Sequence, residues 1–317
     1  MKHALRFLLC CLLALAAPAI VSAEETGDQL AMKWQPGMRY VQRITINQSS
    51  TLPGKDGPKA QHANITADEV ITIREHPKRD WRYIGVSWSA FRISGSNGSA
   101  KFAYDSARPG TGPDKATIEA GNAARAYLGR EFLFQIDPKG NITITPEFTA
   151  MVKEITQIAP DAETHVKAFF SKANLTQLLK LGTLPDVPEE PVKPGCAWPF
   201  ETKFDIPIVG ELLMDGTCSF QGRAKRGGAL CAVVPLNGRL ELMSSPQASL
   251  LGLKDATGEL SGFIWFDAAL GWARESVTTW DVTAVLGGIA SAKDGSAQLV
   301  PLKQTMKVTL LKVERIS

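Results

Sequence analysis

Alternation of apolar and polar residues with a period of two runs through most of this chain, and it limits the fold more than any other feature. Met38, Tyr40, Ile44 and Ile46 share one face of an extended segment, and Ile84, Val86, Trp88 and Ala90 share one face of another. Between them Val70, Thr72 and Arg74 oppose Ile71 and Ile73 in a shorter segment, followed by a turn at residues 76–80. Segments of this kind have one face to bury, so they pair side by side and turn that face to a common core. Phe132, Phe134 and Ile136 alternate into Asp137-Pro138-Lys139-Gly140-Asn141, and Ile142 and Ile144 continue beyond it. Proline to fix φ, and glycine or asparagine to accept a positive φ, predict a hairpin there. The same alternation returns after residue 200 and continues to residue 313.

Two stretches depart from it. Val166, Phe169, Phe170, Ala173, Leu178 and Leu179 recur at helical spacing after Asp161 as N-cap, which predicts one or two helices within 147–182. A shorter helix is expected at about 114–128, where Ile118, Ala123, Ala126 and Tyr127 are separated by good helix formers. Residues 183–199 carry Pro185, Pro188, Pro191, Pro194 and Pro199, a composition that favours an extended connector over a helix or central strand. The expected organisation is an N-terminal β-rich half over 24–182, this connector, and a C-terminal β-rich half over 200–317. The halves are weakly alike: Pro36-Gly37 opens one and Pro194-Gly195 the other, and Phe134–Ile136 before Asp137 matches Ile264–Phe266 before Asp267. The fold class is therefore α+β, predominantly antiparallel β. Two similar halves form either a curved sheet or a barrel-like sandwich, with one or two helices between them.

The first 23 residues read as a secretory signal peptide. Lys2 and Arg6 precede an apolar run of about 15 residues, shorter than the roughly 20 that span a bilayer, and Val21-Ser22-Ala23 ends in small residues. Cleavage is expected before Glu24, with export to the periplasm or beyond the cell. Removing Lys2 and Arg6 from 35 basic residues leaves 33 against 32 acidic ones, a balance that points to no nucleic-acid partner. No later apolar run approaches the length of a membrane-spanning helix. Cys196, Cys218 and Cys231 would then meet an oxidising compartment, and Cys218 and Cys231, flanking a glycine- and arginine-rich tip, are read as a disulfide pair.

Trp34-Gln35-Pro36-Gly37-Met38-Arg39-Tyr40, Tyr104-Asp105-Ser106, Asp137-Pro138-Lys139-Gly140 and Phe266-Asp267 before Gly271 together resemble a family of exported bacterial β-rich proteins classed as a domain of unknown function. The resemblance runs from about residue 30 to 313. It implies long antiparallel strands with a few helices, and it carries over no catalytic residue and no cofactor.

The sequence holds no nucleophile elbow, no His-Glu-x-x-His, no phosphate-binding loop and no dinucleotide-binding glycine pattern. His62, His76 and His165 are scattered, and the three cysteines match no zinc spacing. Asp105, Asp137 and Asp267 each end a strand and are read as turn caps. The functional expectation is thus a non-catalytic binding protein of the cell envelope for an apolar or lipid-like ligand. Trp88, Phe91, Phe132, Phe134, Trp265 and Phe266 are the candidate lining. An envelope protein-interaction module that binds through strand edges is the alternative reading, and a hydrolase the remote one. No metal is implied.

Overall fold

The computed structural model describes residues 27–52, 58–108, 128–158, 171–181, 184–206, 210–244, 253–287 and 297–316. The leader expected at 1–23, the helix expected at 114–128 apart from its last residue, and the Asp161, Phe169 and Phe170 portion of the second helical stretch lie outside these residues.

In chain order the strands are β1 (Met38–Leu52), β2 (Lys59–Glu75), β3 (Arg82–Asn97), β4 (Ala100–Asp105), β5 (Phe132–Ile136) and β6 (Ile142–Ile144), then β7 (Ala197–Ile206), β8 (Gly210–Ser219), β9 (Gly222–Arg226), β10 (Ala229–Ser244), β11 (Leu253–Asp267), β12 (Trp272–Leu286) and β13 (Gln298–Arg315). Among the described residues, two helices, α1 (Pro146–Ile158) and α2 (Lys172–Leu181), stand between β6 and β7. All thirteen strands join one sheet, ordered β6-β5-β3-β2-β1-β13-β12-β11-β10-β8-β7, with β4 beside β3 and β9 beside β10. Each half is an antiparallel meander, and the halves meet where β1 pairs with β13, from Met38 opposite Arg315 to Ser50 opposite Leu302. Of the two shapes expected, the curved, unclosed sheet is the one formed. The halves add edge to edge, not face to face, because the first and last strands pair. The strand around Ile71 is also longer than its pattern suggested, since β2 extends over 17 residues.

The helices start where side chains can satisfy their first amides. Thr145 Oγ1 accepts from Phe148 N at 3.1 Å, with Pro146 at the first helical position and Glu147 in the first turn, and Ser171 Oγ accepts from Asn174 N at 3.2 Å. α2 touches both β6 and β7, the two ends of the strand order, so it sits in the gap that the curved sheet leaves open.

Two cores lie on the same face of the sheet, called inner below. One places Tyr40, Ile71, Ile73, Ile84, Phe132 and Phe134 under Phe148, Ile155 and Leu175 of the helices, and Trp272 stacks on Tyr40 with ring centroids 4.3 Å apart. Such stacking adds about 0.5–1.5 kcal/mol beyond the area buried. The other core gathers Trp198, Phe200, Met214, Leu236, Leu240, Leu260 and Phe266 with Leu30, Leu184 and Val192 from extended segments. Val192 of the proline-rich connector bridges Asp28, and Pro199 falls in the edge strand β7, where its missing N–H disrupts no ladder.

Glycines remove side chains from the inner face where strands approach closely. Gly216 and Gly238 are register partners, and a Cβ on Gly238 would lie 2.3 Å from Asp215 O and 3.1 Å from Gly216 Cα. A Cβ on Gly216 would also meet the Phe200 ring at 2.9 Å. Gly238→Ala is therefore expected to cost about 1–3 kcal/mol through overpacking, read as a lower urea midpoint at unchanged slope. An unaltered midpoint would mean that the strands have room there.

Candidate binding face

Register decides which side chains share the inner face. Successive rows across β1, β2 and β3 read Met38, Ile73, Ile84; then Tyr40, Ile71, Val86; then Gln42, Glu69, Trp88; then Ile44, Ala67, Phe91; then Ile46, Ile65, Ile93. On β13 the same rows continue through Leu310, Val308 and Met306, and on β12 through Ser276 and Thr278. The outer face carries the ion pairs, among them Arg43 with Asp68 (Nε to Oδ1, 2.7 Å) and Arg39 with Glu314 (2.8 Å).

The two cores leave a strip between them. Ile44, Ile46, Ile65, Phe91, Ile93, Leu302 and Met306 point to the inner face yet are only half-buried, in contrast to residues such as Tyr40, Ile73 and Phe266, which are fully buried. These residues come from four neighbouring strands, β3, β2, β1 and β13, whose three gaps at about 4.8 Å make the strip roughly 14 Å wide. Its far end is polar: Gln48, Ser50, Gln61, His62 and Ser96, with Ala63 and Phe102, line a shallow open depression of about 180 Å³.

Its near end carries a carboxyl group. Gln42 Nε2 donates to Glu69 Oε2 at 2.5 Å, and among the described residues no cation pairs with Glu69. Burial pushes the Glu69 carboxyl up to about 6, with the Gln42 hydrogen bond opposing in part. Buried polar atoms without a partner also collect on this face: among the described residues, Tyr40 Oη, Tyr104 Oη, Thr202 Oγ1, Trp280 Nε1 and Gln298 Oε1 by register, and Trp272 Nε1 through its packing on Tyr40. Each such group costs on the order of 1–3 kcal/mol unless something bonds to it.

The six residues chosen from sequence do not converge on one cavity. Trp88 and Phe91 border the strip; Trp88 packs edge-on to Phe132 at 5.6 Å and Phe91 lies 6.3 Å from Tyr104. Phe132 and Phe134 are core beneath α1, where Phe132 meets Phe148 at 5.7 Å. Phe266 belongs to the other core. Trp265 lies on the outer face with the Arg226 guanidinium 4.5 Å from its ring, since adjacent strand residues point to opposite sides. Sequence reading passed over Gln42 and Glu69, although a charged residue in the series Ile65, Ala67, Glu69, Ile71, Ile73 breaks an otherwise apolar face.

The disulfide expected between Cys218 and Cys231 is not made, and Cys196, Cys218 and Cys231 are free thiols. The hairpin turns at Gly227 and Gly228, with φ of 55° and 80°, three residues before Cys231 but nine after Cys218. Cys218 therefore stands opposite Leu236 and Cys231 opposite Ala224. Five residues of β10 separate the two levels, about 16 Å, beyond the reach of a disulfide. Burial pushes the Cys218 thiol up to about 12 and the Cys231 thiol up to about 11, while Cys196 is exposed. The three aspartates cap turns: Asp105 accepts from Ala107 N, Asp137 from Lys139 N and Asn141 N, and Asp267 from Ala269 N and Leu270 N. No three metal-ligating side chains come together among the described residues, and no helix among them is long and apolar enough to cross a membrane.

No family model matches this chain, and no curated protein matches it. Among solved structures it is similar to lipovitellin, in a structure described as showing lipid–protein interactions, at 13% identity and a TM-score of 0.45, over 90% of this chain and 26% of that one. This chain thus spans about a quarter of that protein. It is also similar to DynF of Micromonospora chersina (9% identity, TM-score 0.21, 94% and 91% covered) and to the NalP autotransporter translocator domain of Neisseria meningitidis (8%, 0.20, 87% and 88%). At TM-scores below 0.5, none of these likenesses assigns a ligand to this chain.

Two outcomes follow from the buried groups. The Glu69 carboxyl rises from 4.5 to about 6 on folding, so its stabilising contribution is full below about pH 4.5 and lost as pH rises through 6. The stability of the unaltered chain relative to Glu69→Gln should fall by about 1 kcal/mol between those limits, read by urea titration at each pH; a flat difference would show that the carboxyl is well solvated. In a chain lacking residues 1–23, a disulfide-exchange thiol reagent should modify Cys196 alone in the folded state and all three cysteines in denaturant. Rapid labelling of Cys218 in the folded state would contradict its burial.

Proposed function

We infer that this is a non-catalytic binding protein whose inner sheet face receives an apolar, lipid-like ligand, and that it works in the cell envelope after export. The half-buried strip between two closed cores carries this reading. Apolar side chains from several strands, Ile44, Ile46, Ile65, Ile93, Leu302 and Met306 among them, share one face that intramolecular packing only half covers. Contiguous apolar surface of this extent marks a binding site more often than a packing defect. Trp88 and Phe91 form its aromatic border, and the unpartnered polar atoms near it suit a ligand that is not pure hydrocarbon. Export rests on the leader-like first 23 residues.

Native mass spectrometry of the mature protein taken gently from its own envelope fraction tests the reading. Extra mass that disappears on solvent extraction is expected; a bare mass combined with failure to take up N-phenyl-1-naphthylamine would refute it. Ile65→Asp places a charge in the middle of the strip and should weaken uptake of that probe by about tenfold while circular dichroism stays unchanged.

A further inference from the structure

Glu69 is unusual among the charged residues of this sheet. The other strand carboxylates with a described ion-pair partner, such as Asp68 with Arg43, Asp215 with Arg239 and Glu275 with Arg226 and Lys307, meet their cations on the outer face. Glu69 points inward, at the foot of the apolar strip, and has no cation of its own among the described residues. Gln42 uses one amide hydrogen on Oε2, which leaves Glu69 Oε1 without a donor among the described residues. An apolar side chain at this position would have been cheaper to bury, and a carboxylate is stable there only if something positive or donor-rich meets it.

Its neighbours are rings. Trp88 lies directly across from Glu69 on β3, and Tyr40 precedes Gln42 by two residues on the same face of β1, diagonal to Glu69. Cross-strand partners stand about 5 Å apart and diagonal ones about 7–8 Å, so the carboxyl lies between aromatic side chains. Tyr40 Oη, on a fully buried side chain, has no partner among the described residues. A carboxylate beside aromatic rings is the chemistry that recognises organic ammonium groups, through charge and through the ring quadrupole. Beyond it, the eight steps from Glu69 to Gln61 run about 26 Å along the strip at about 3.3 Å each, room for a long alkyl chain.

We propose that Glu69, held by Gln42 and flanked by the half-buried ring of Trp88, binds the ammonium head of a cationic or choline-type amphiphile whose chain lies along Ile44, Ile46, Ile65 and Ile93. This deepens, and rests on, the reading of the inner face as a binding surface.

Isothermal titration of the mature protein at about pH 7.5 with three probes below their micelle concentrations, dodecyltrimethylammonium, dodecanol and dodecanoate, tests it. The ammonium probe is expected to bind about tenfold more tightly than either of the others, the scale of one partly desolvated ion pair with a ring contact. Glu69→Gln should erase that preference and leave dodecanol affinity within about twofold. Equal binding of all three, or tighter binding of dodecanoate, would overturn the ammonium assignment and keep the apolar face. Failure of all three to bind would overturn the binding face as well. The preference of the unaltered chain decides the matter even if the variant does not fold.

Discussion

The pairing of β1 with β13 is the contact on which the rest of the architecture depends. It joins the first long strand to the last, so two meanders that would each present an open edge become one sheet. With that seam in place, every row of inner-face side chains continues from one half into the other, and Tyr40 can meet Trp272 across β13. The remaining ends of the sheet, β6 and β7, both meet α2. The helix occupies the gap that a closed barrel would have filled with hydrogen bonds.

Curvature, with α2 in the open gap, leaves an uneven inner face. Where α1 and α2, or the segments around Leu30, Leu184 and Val192, lie over the sheet, side chains are fully buried. Between these ends the same period-two pattern continues, but its apolar residues are only half covered. The polar pair Gln42 and Glu69 stands at the boundary between closed core and open strip. A boundary is where a carboxyl can remain partly hydrated while lying beside apolar surface, which accounts for its raised pKa without a charged partner.

Much of this was legible residue by residue. The alternation placed strands at Met38, Ile84, Phe132 and Ser261, and the proline, glycine and asparagine of 137–141 fixed a turn that Asp137 caps. Local chemistry decides such features, so neighbours in sequence reveal them. The lining residues were harder. Trp265 and Phe266 read as a pair, yet adjacent strand positions face opposite ways, and the bulge between them shifts the register against β12. The cysteine pair failed for a related reason: the tip of the hairpin lies at Gly227 and Gly228, not midway between the two cysteines.

By itself, then, the sequence determined a predominantly antiparallel β protein with helices in its middle, because hydrophobic period and turn chemistry act over a few residues. Tertiary structure alone decided that the halves share one unclosed sheet, that β1 and β13 form its seam, and that Glu69 faces inward beside Gln42 and Trp88. Those outcomes depend on pairing between strands as far apart as residues 38 and 315, and on bulges that reset which face a residue occupies. A period of two in the sequence fixes that a strand has two faces; only its partners fix which one is buried.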